Sequence, residues 1–183
     1  MPEQPDRIDR RPVHRGRIVD LGIDTVRFPD GSTGELEMIH HSGAAAVLPV
    51  LDEGDDPRVV LVRQYRYASG GYLYEVPAGR PDHPDEPWEE CARRELREET
   101  GLEAGELRRL TAIWTTPGFT DERIHLFVAT GLTAGETRYD ADEFMETVTM
   151  PLSEALAKVR DGEIDDAKTV CTLLYAAGFL FGM

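Results

Sequence analysis

Glu95 and Glu99 stand one helical turn apart in the segment 86–102, which reads EPWEECARRELREETGL. At about 100° per residue, Trp88, Cys91, Ala92 and Leu96 form one apolar stripe, and both glutamates fall inside it. Glu98 lies at the edge of the stripe, while Glu90, Arg93 and Arg97 point the other way, into solvent. No Lys or Arg shares the stripe. Half-buried like charges raise each other's pKa unless a cation compensates them. Burying an uncompensated carboxylate costs on the order of several kcal/mol. A divalent cation resolves both problems, and hard oxygen donors suit Mg²⁺, with Mn²⁺ as a substitute. The spacing therefore predicts a metal site.

Composition narrows what such a site could serve. The chain has 183 residues, enough for one domain with a sizeable core. With 40% hydrophobic and 30% charged residues, it reads as globular and neither disordered nor membrane-embedded. The net charge of -15, from 35 acidic and 20 basic residues, argues against nucleic acid as a partner. Small phosphorylated ligands remain open, because a local arginine or a metal overcomes the global field. Cys91 and Cys171 both sit in helical apolar patterns and are expected as buried thiols. The first residues lack the apolar core of a secretory signal, and the longest apolar run, 170–181, is too short to span a bilayer. The expectation is a cytoplasmic protein with no membrane partner.

The elements that must position the glutamates follow from punctuation and periodicity. Residues 1–15 read as a polar tail. Residues 16–28 and 34–41 alternate like strands around a PDGSTG turn, so 16–42 is expected to form a hairpin arm. The nearly continuous apolar run 43–51 reads as a strand buried on both faces. Further strands are expected at 59–65, 72–76, 107–114, 124–129 and 144–150. The long helix is predicted over 86–100, with Gly101 as its C-cap. A helix capped by Ser153 runs to about Val159, and a last helix covers 164–181. The class is α+β or an α/β/α sandwich, with 43–183 as the main domain.

The run Arg94-Glu95-Leu96-Arg97-Glu98-Glu99-Thr100-Gly101-Leu102, with Gly79 and Glu86 before it, resembles the Nudix box. Six residues lie between Gly79 and Glu86, one more than in the family pattern. The extra residue falls in a proline-rich loop, where insertion is tolerated. Pro117 in TTPGFTDE, the strand ending RQYR (Arg63 to Arg66) and the YEVPAG stretch resemble the ADP-ribose pyrophosphatase branch. So does the N-terminal arm.

That resemblance implies a Nudix-type α/β/α sandwich with a mixed sheet, and an arm that crosses to a second subunit of a homodimer. It implies Mg²⁺-dependent hydrolysis of ADP-ribose to AMP and ribose 5-phosphate. The alternatives are another nucleoside diphosphate sugar, a CDP-alcohol, or a non-catalytic nucleotide-binding domain. Metal donors would be Glu95, Glu98, Glu99 and the backbone carbonyl of Ala78. Glu98 could instead pair with Arg94 at i,i+4, and Arg94 would orient the carboxylates. Glu86 has two readings, a structural partner of Arg94 or a distant metal residue. The water-activating base would come from the acidic loop 139–143, with Glu143 the best-aligned candidate although position 141 is Ala. Arg66 or Arg63 would clamp a phosphate or stack on the base, and Glu122 would accept from ribose hydroxyls. Trp114 and Phe119 are expected in the core. His83 and His125 have no partner at metal-ligand spacing.

Overall fold

The computed structural model describes residues 6–52, 54–135 and 145–182. The chain divides into two compact units: residues 1–43 with 114–123, and residues 44–113 with 124–183.

The first unit is built on β1 (Arg7–Arg15), β2 (Asp20–Arg27) and β3 (Thr33–His40), an antiparallel sheet in that order. The β2–β3 turn closes as its sequence predicts. The Asp30 carboxylate accepts from the Ser32 amide at 2.9 Å, and Gly31 takes φ 86°. Residues 7–15 correct the expectation of a polar tail. They pair with β2 from Arg7↔Val26 to Arg15↔Asp20, and Arg10 meets the Asp20 carboxylate at 2.6 Å. The strand was hidden because its side chains are mostly charged and exposed, while its main-chain bonds carry no sequence signature. Residues 115–122 lie along β3. Thr120 bridges to Ile39, and the buried His40 ring sits between Asp121 (2.8 Å) and Asp24 (3.0 Å). Trp114 and Phe119 are not core residues, being 53% and 49% exposed; they flank this loop, not the middle of a covered strand.

The second unit holds β4 (Ala44–Pro49), β5 (Arg58–Arg66), β6 (Gly71–Glu75), β7 (Ala78–Gly79) and α1 (Trp88–Thr100). β8 (Leu102–Glu103), β9 (Glu106–Trp114), β10 (Arg123–Thr130) and β11 (Thr133–Ala134) follow. β12 (Met145–Pro151), α2 (Leu152–Arg160) and α3 (Ala167–Ala176) complete it, with a π-helical turn at Ala177–Phe181. One sheet has the order β7-β4-β10-β9, another β12-β5-β6, and β11 pairs with β8. β4 and β10 run parallel, Ala44 opposite Ile124. Their run of apolar residues is continuous because both faces are covered. Ala44, Ala46, Leu48, Leu126 and Val128 pack with Leu152, Ala155 and Leu173 of α2 and α3. The intervening Ala45, Val47, Phe127 and Ala129 pack with Cys91, Ala92 and Leu96 of α1. The expected mixed α/β class, helices over both faces of a sheet, is what forms.

Helix ends differ in detail from the sequence expectation. α1 starts at Trp88, since Pro87 occupies the N-cap with φ -61° and extended ψ. Gly101 ends it in the left-handed region, φ 68°, donating to the Arg97 carbonyl at 2.9 Å. Ser153 is not the cap of α2; its hydroxyl and amide both donate to Asp56, at 2.7 and 3.0 Å. α3 begins at Ala167, not at 164. Asp166 caps it through the Thr169 amide at 3.0 Å, and Ile164 is a core residue ahead of the helix. Residue 144, the expected start of β12, lies outside the described residues.

Candidate active site

The apolar side of α1 decides where its glutamates go. With Cys91, Ala92 and Leu96 fully buried against β4 and β10, Glu95 and Glu99 are drawn against β7. Glu99 is only 5% exposed, and the Ala78 amide donates to its Oε2 at 3.2 Å. Gly79 lies directly under Glu95. A Cβ on Gly79 would fall 2.1 Å from Glu95 Oε1, so the missing side chain is the space the carboxylate uses. The loop with its additional residue thus leaves Gly79 directly beneath Glu95.

Arg94 corrects the expectation that no cation reaches the stripe. Its Cα is off the stripe, but its long side chain folds back. The guanidinium donates to Glu95 Oε1 at 2.7 Å, Glu98 Oε2 at 3.1 Å and both Glu86 oxygens at 3.1 and 3.2 Å. It also donates to the Arg80 carbonyl at 2.8 Å and lies 3.3 Å from Asp82. Burial alone would lower its pKa, but the bond to Glu86 and the charge of Glu95 outweigh that and push it up. The same bond holds the Glu86 carboxyl below the usual carboxylate range. The proline-rich loop thus wraps the guanidinium, and Glu86 contributes by closing that loop. Its second oxygen accepts from the Asp82 amide at 2.7 Å.

One guanidinium set among Asp82, Glu86, Glu95 and Glu98, with buried Glu99 beyond, leaves a surplus of negative charge and hard oxygen donors. That chemistry fits a divalent cation such as Mg²⁺, which keeps several waters or substrate oxygens in its shell. Among the described residues, no three His, Cys, Asp or Glu side chains are already gathered as a metal cage. The donors that β7 and α1 bring together are the Glu95 and Glu99 carboxylates and the backbone at Ala78. Cys91 is no nucleophile: burial and then the Glu95 charge push its thiol up to about 12. Cys171, expected buried, is exposed on α3.

The remaining sequence candidates are placed differently. Arg66 is tied to Glu75, donating from Nε and Nη2 at 2.7 and 2.8 Å. That bond raises its pKa against the effect of burial, with smaller contributions from the charges of Glu75, Glu99 and Asp166. Arg63 lies 4.4 Å over the Tyr72 ring and donates to Glu146 at 2.9 Å. The parity of β5 thus puts the two arginines on opposite faces. Glu122 belongs to the first unit, where it accepts from the Thr115 hydroxyl at 2.8 Å. His125 stacks on Trp88 at 4.1 Å. Glu143 and its acidic loop lie outside the described residues.

Sequence reasoning missed Glu75, which is 2% exposed at the end of β6. A carboxylate in a stretch that otherwise reads as strand was the available signal. Burial would raise its pKa, but the bonds to Arg66 and the neighbouring Lys168 lower it overall.

A family model for the NUDIX domain matches residues 40–173. The chain belongs to the Nudix family. The Nudix match takes in β7, α1 and most of α3, and the relatives cover more of the chain than it does. ADP-ribose pyrophosphatase of Bacillus subtilis (strain 168) is 39% identical over 170 residues, covering 92% of this chain and 90% of that one. Methanol dehydrogenase activator of Bacillus methanolicus is 39% identical over 165 residues, covering 89% of this chain and 87% of that one. A solved structure described as an ADP compounds hydrolase superposes with a TM-score of 0.81 at 26% identity, covering 98% of this chain and 96% of that one. Among the described residues, no helix is long and apolar enough to cross a membrane.

Proposed function

We propose that this chain hydrolyses the diphosphate of ADP-ribose to AMP and ribose 5-phosphate in the presence of a divalent cation. The observation that carries the reading is the extent of the likeness to ADP-ribose pyrophosphatase. It spans nine-tenths of both chains and so includes much more than the box. Water adds to one phosphorus, the bridging P–O bond breaks, and the oxygen leaves with the other phosphate. When bound, the cation supplies charge neutralisation for the diphosphate and activation of water.

In this reading Glu95, Glu99 and the Ala78 carbonyl hold the cation, Mg²⁺ with Mn²⁺ as a substitute, and Glu98 joins them when released from Arg94. Arg94 keeps the neighbouring carboxylates aimed. Glu143 is the base. Arg66, Arg63 and Glu122 bind substrate; Arg66 does so with the part of its guanidinium not used by Glu75. The protein acts as a cytoplasmic homodimer joined through the N-terminal arm, whose sheet edges invite pairing.

The test is hydrolysis of ADP-ribose, ADP-glucose, UDP-glucose, GDP-mannose, CDP-choline and NADH with Mg²⁺, read by product chromatography. AMP from ADP-ribose, abolished by EDTA and by Glu99→Gln in a folded protein, is expected. Turnover confined to another member of the panel would move the substrate assignment. Full activity of Glu99→Gln would remove that residue from the metal site.

A further inference from the structure

The two-residue strand β7 pairs with β4 and faces the box glutamates, and the segment that leads into it is also tied to the far end of the sequence. Between Glu75 and Ala78 the chain leaves the β12-β5-β6 sheet and joins the β7-β4-β10-β9 sheet. Such a crossing segment has few ladder bonds of its own. Pro77 has no amide hydrogen, and its carbonyl accepts from Val47 at 2.9 Å. The Val76 amide finds its acceptor in the hydroxyl of Thr169, on the first turn of α3, at 2.8 Å. Val76 and Thr169 are both fully buried. The Thr169 hydroxyl in turn donates to Asp166 Oδ2 at 2.6 Å, so its proton is committed there and its lone pairs are left to accept from Val76. One residue earlier, Lys168 donates both to Glu75 and, at 3.1 Å, to Asp166. Arg66 grips the same Glu75 from β5.

We propose that the first turn of α3, with Thr169 as the positioning residue and Lys168 and Asp166 as its supports, fixes β7 against Glu95 and Glu99 and thereby sets the geometry of the metal site. The inference rests on the metal-site reading above. Thr169 holds the amide of Val76, two residues before Ala78, whose own amide donates to Glu99. Gly79, one residue on, is the floor under Glu95. A shift of the crossing segment therefore moves both carboxylates' contacts together. Loss of such a support behind a metal ligand costs about 10–100-fold in metal affinity.

The experiment is Mn²⁺ binding to the full chain followed by electron paramagnetic resonance, with no substrate present, on wild type, Thr169→Val, Thr169→Ser and Lys168→Met. Circular dichroism checks each fold. Thr169→Val keeps the shape and removes the hydroxyl; about 10-fold weaker Mn²⁺ binding is expected. Thr169→Ser restores the hydroxyl and should bind within about twofold of wild type. Lys168→Met leaves Glu75 with Arg66 alone and should weaken Mn²⁺ in the same direction. It also serves as the test if Thr169→Val does not fold. At saturating metal, KM for substrate should stay near wild type in Thr169→Val. Wild-type Mn²⁺ affinity in folded Thr169→Val, or in folded Lys168→Met should that replace it, overturns the positioning role and leaves the function standing. Absence of Mn²⁺ binding by the wild type overturns the metal reading and this inference together.

Discussion

Adding one methyl group at Gly79 should separate the catalytic arrangement from the fold. A Cβ there would stand 2.1 Å from Glu95 Oε1, 2.2 Å from its carboxyl carbon and 2.5 Å from Oε2. Reaching ordinary contact requires the carboxylate to retreat by about 1.3 Å. Glu95 cannot retreat and keep its 2.7 Å bond to Arg94, because Arg94 is also held by Glu86 and the Arg80 carbonyl. The obstacle is the end of a flexible side chain, so the fold itself should lose only about 1 kcal/mol. A displacement of about 1 Å at a catalytic group costs on the order of 10²-fold in rate. Gly79→Ala is therefore expected to lower kcat/KM for ADP-ribose about 100-fold and to raise the Mg²⁺ concentration for half-activation, with Tm changed by only a few degrees. The double variant with Glu95→Ala supplies the control. With no carboxylate to strike, the methyl should add little to the loss already caused by Glu95→Ala. Wild-type kcat/KM and Mg²⁺ activation in folded Gly79→Ala would refute the reasoning, since Glu95 would then not need the position it occupies.

Arg94→Lys should fail nearly as badly as Arg94→Ala, each losing about 10²-fold in kcat/KM, because one ammonium cannot meet Glu86, Glu95, Glu98 and the Arg80 carbonyl at once. A lysine variant with near-native activity would show that charge alone suffices. The two thiols should behave oppositely: at pH 8, Cys171 reacts with a disulfide reagent in the folded protein, whereas Cys91 reacts only on unfolding. Equal rates for both would contradict the burial of Cys91. The Cys91 thiol is raised in the fold from 9.0 to about 12. Its contribution to stability is therefore complete below about pH 9 and is lost as pH rises towards 12. Denaturant melts across that range should show the decline, and it should be smaller in Cys91→Ala.

Much of the fold could be read because local signals and burial agreed. Gly101 ends α1 since only glycine takes φ 68° without strain, and the run 44–49 is continuous in apolar residues since helices cover both faces. Where side chains and backbone disagree, the reading failed. β1 is a charged strand held by main-chain bonds, and Trp114 and Phe119 are large apolar residues left half exposed beside a loop. The start of α3 was misplaced because Ile164 is apolar for the core, not for a helix face.

The site divides in the same way. The identity and one-turn spacing of Glu95 and Glu99, the glycine before them and the family resemblance were legible along the chain, because helical periodicity is a property of neighbours. That Arg94 folds back to bind Glu86, Glu95 and Glu98, that Gly79 is the floor under Glu95, and that Thr169 reaches across the sequence to Val76 came from the packed fold. Those contacts depend on which distant segments the two packed faces of the sheet bring within reach, and no local period in the chain encodes that distance.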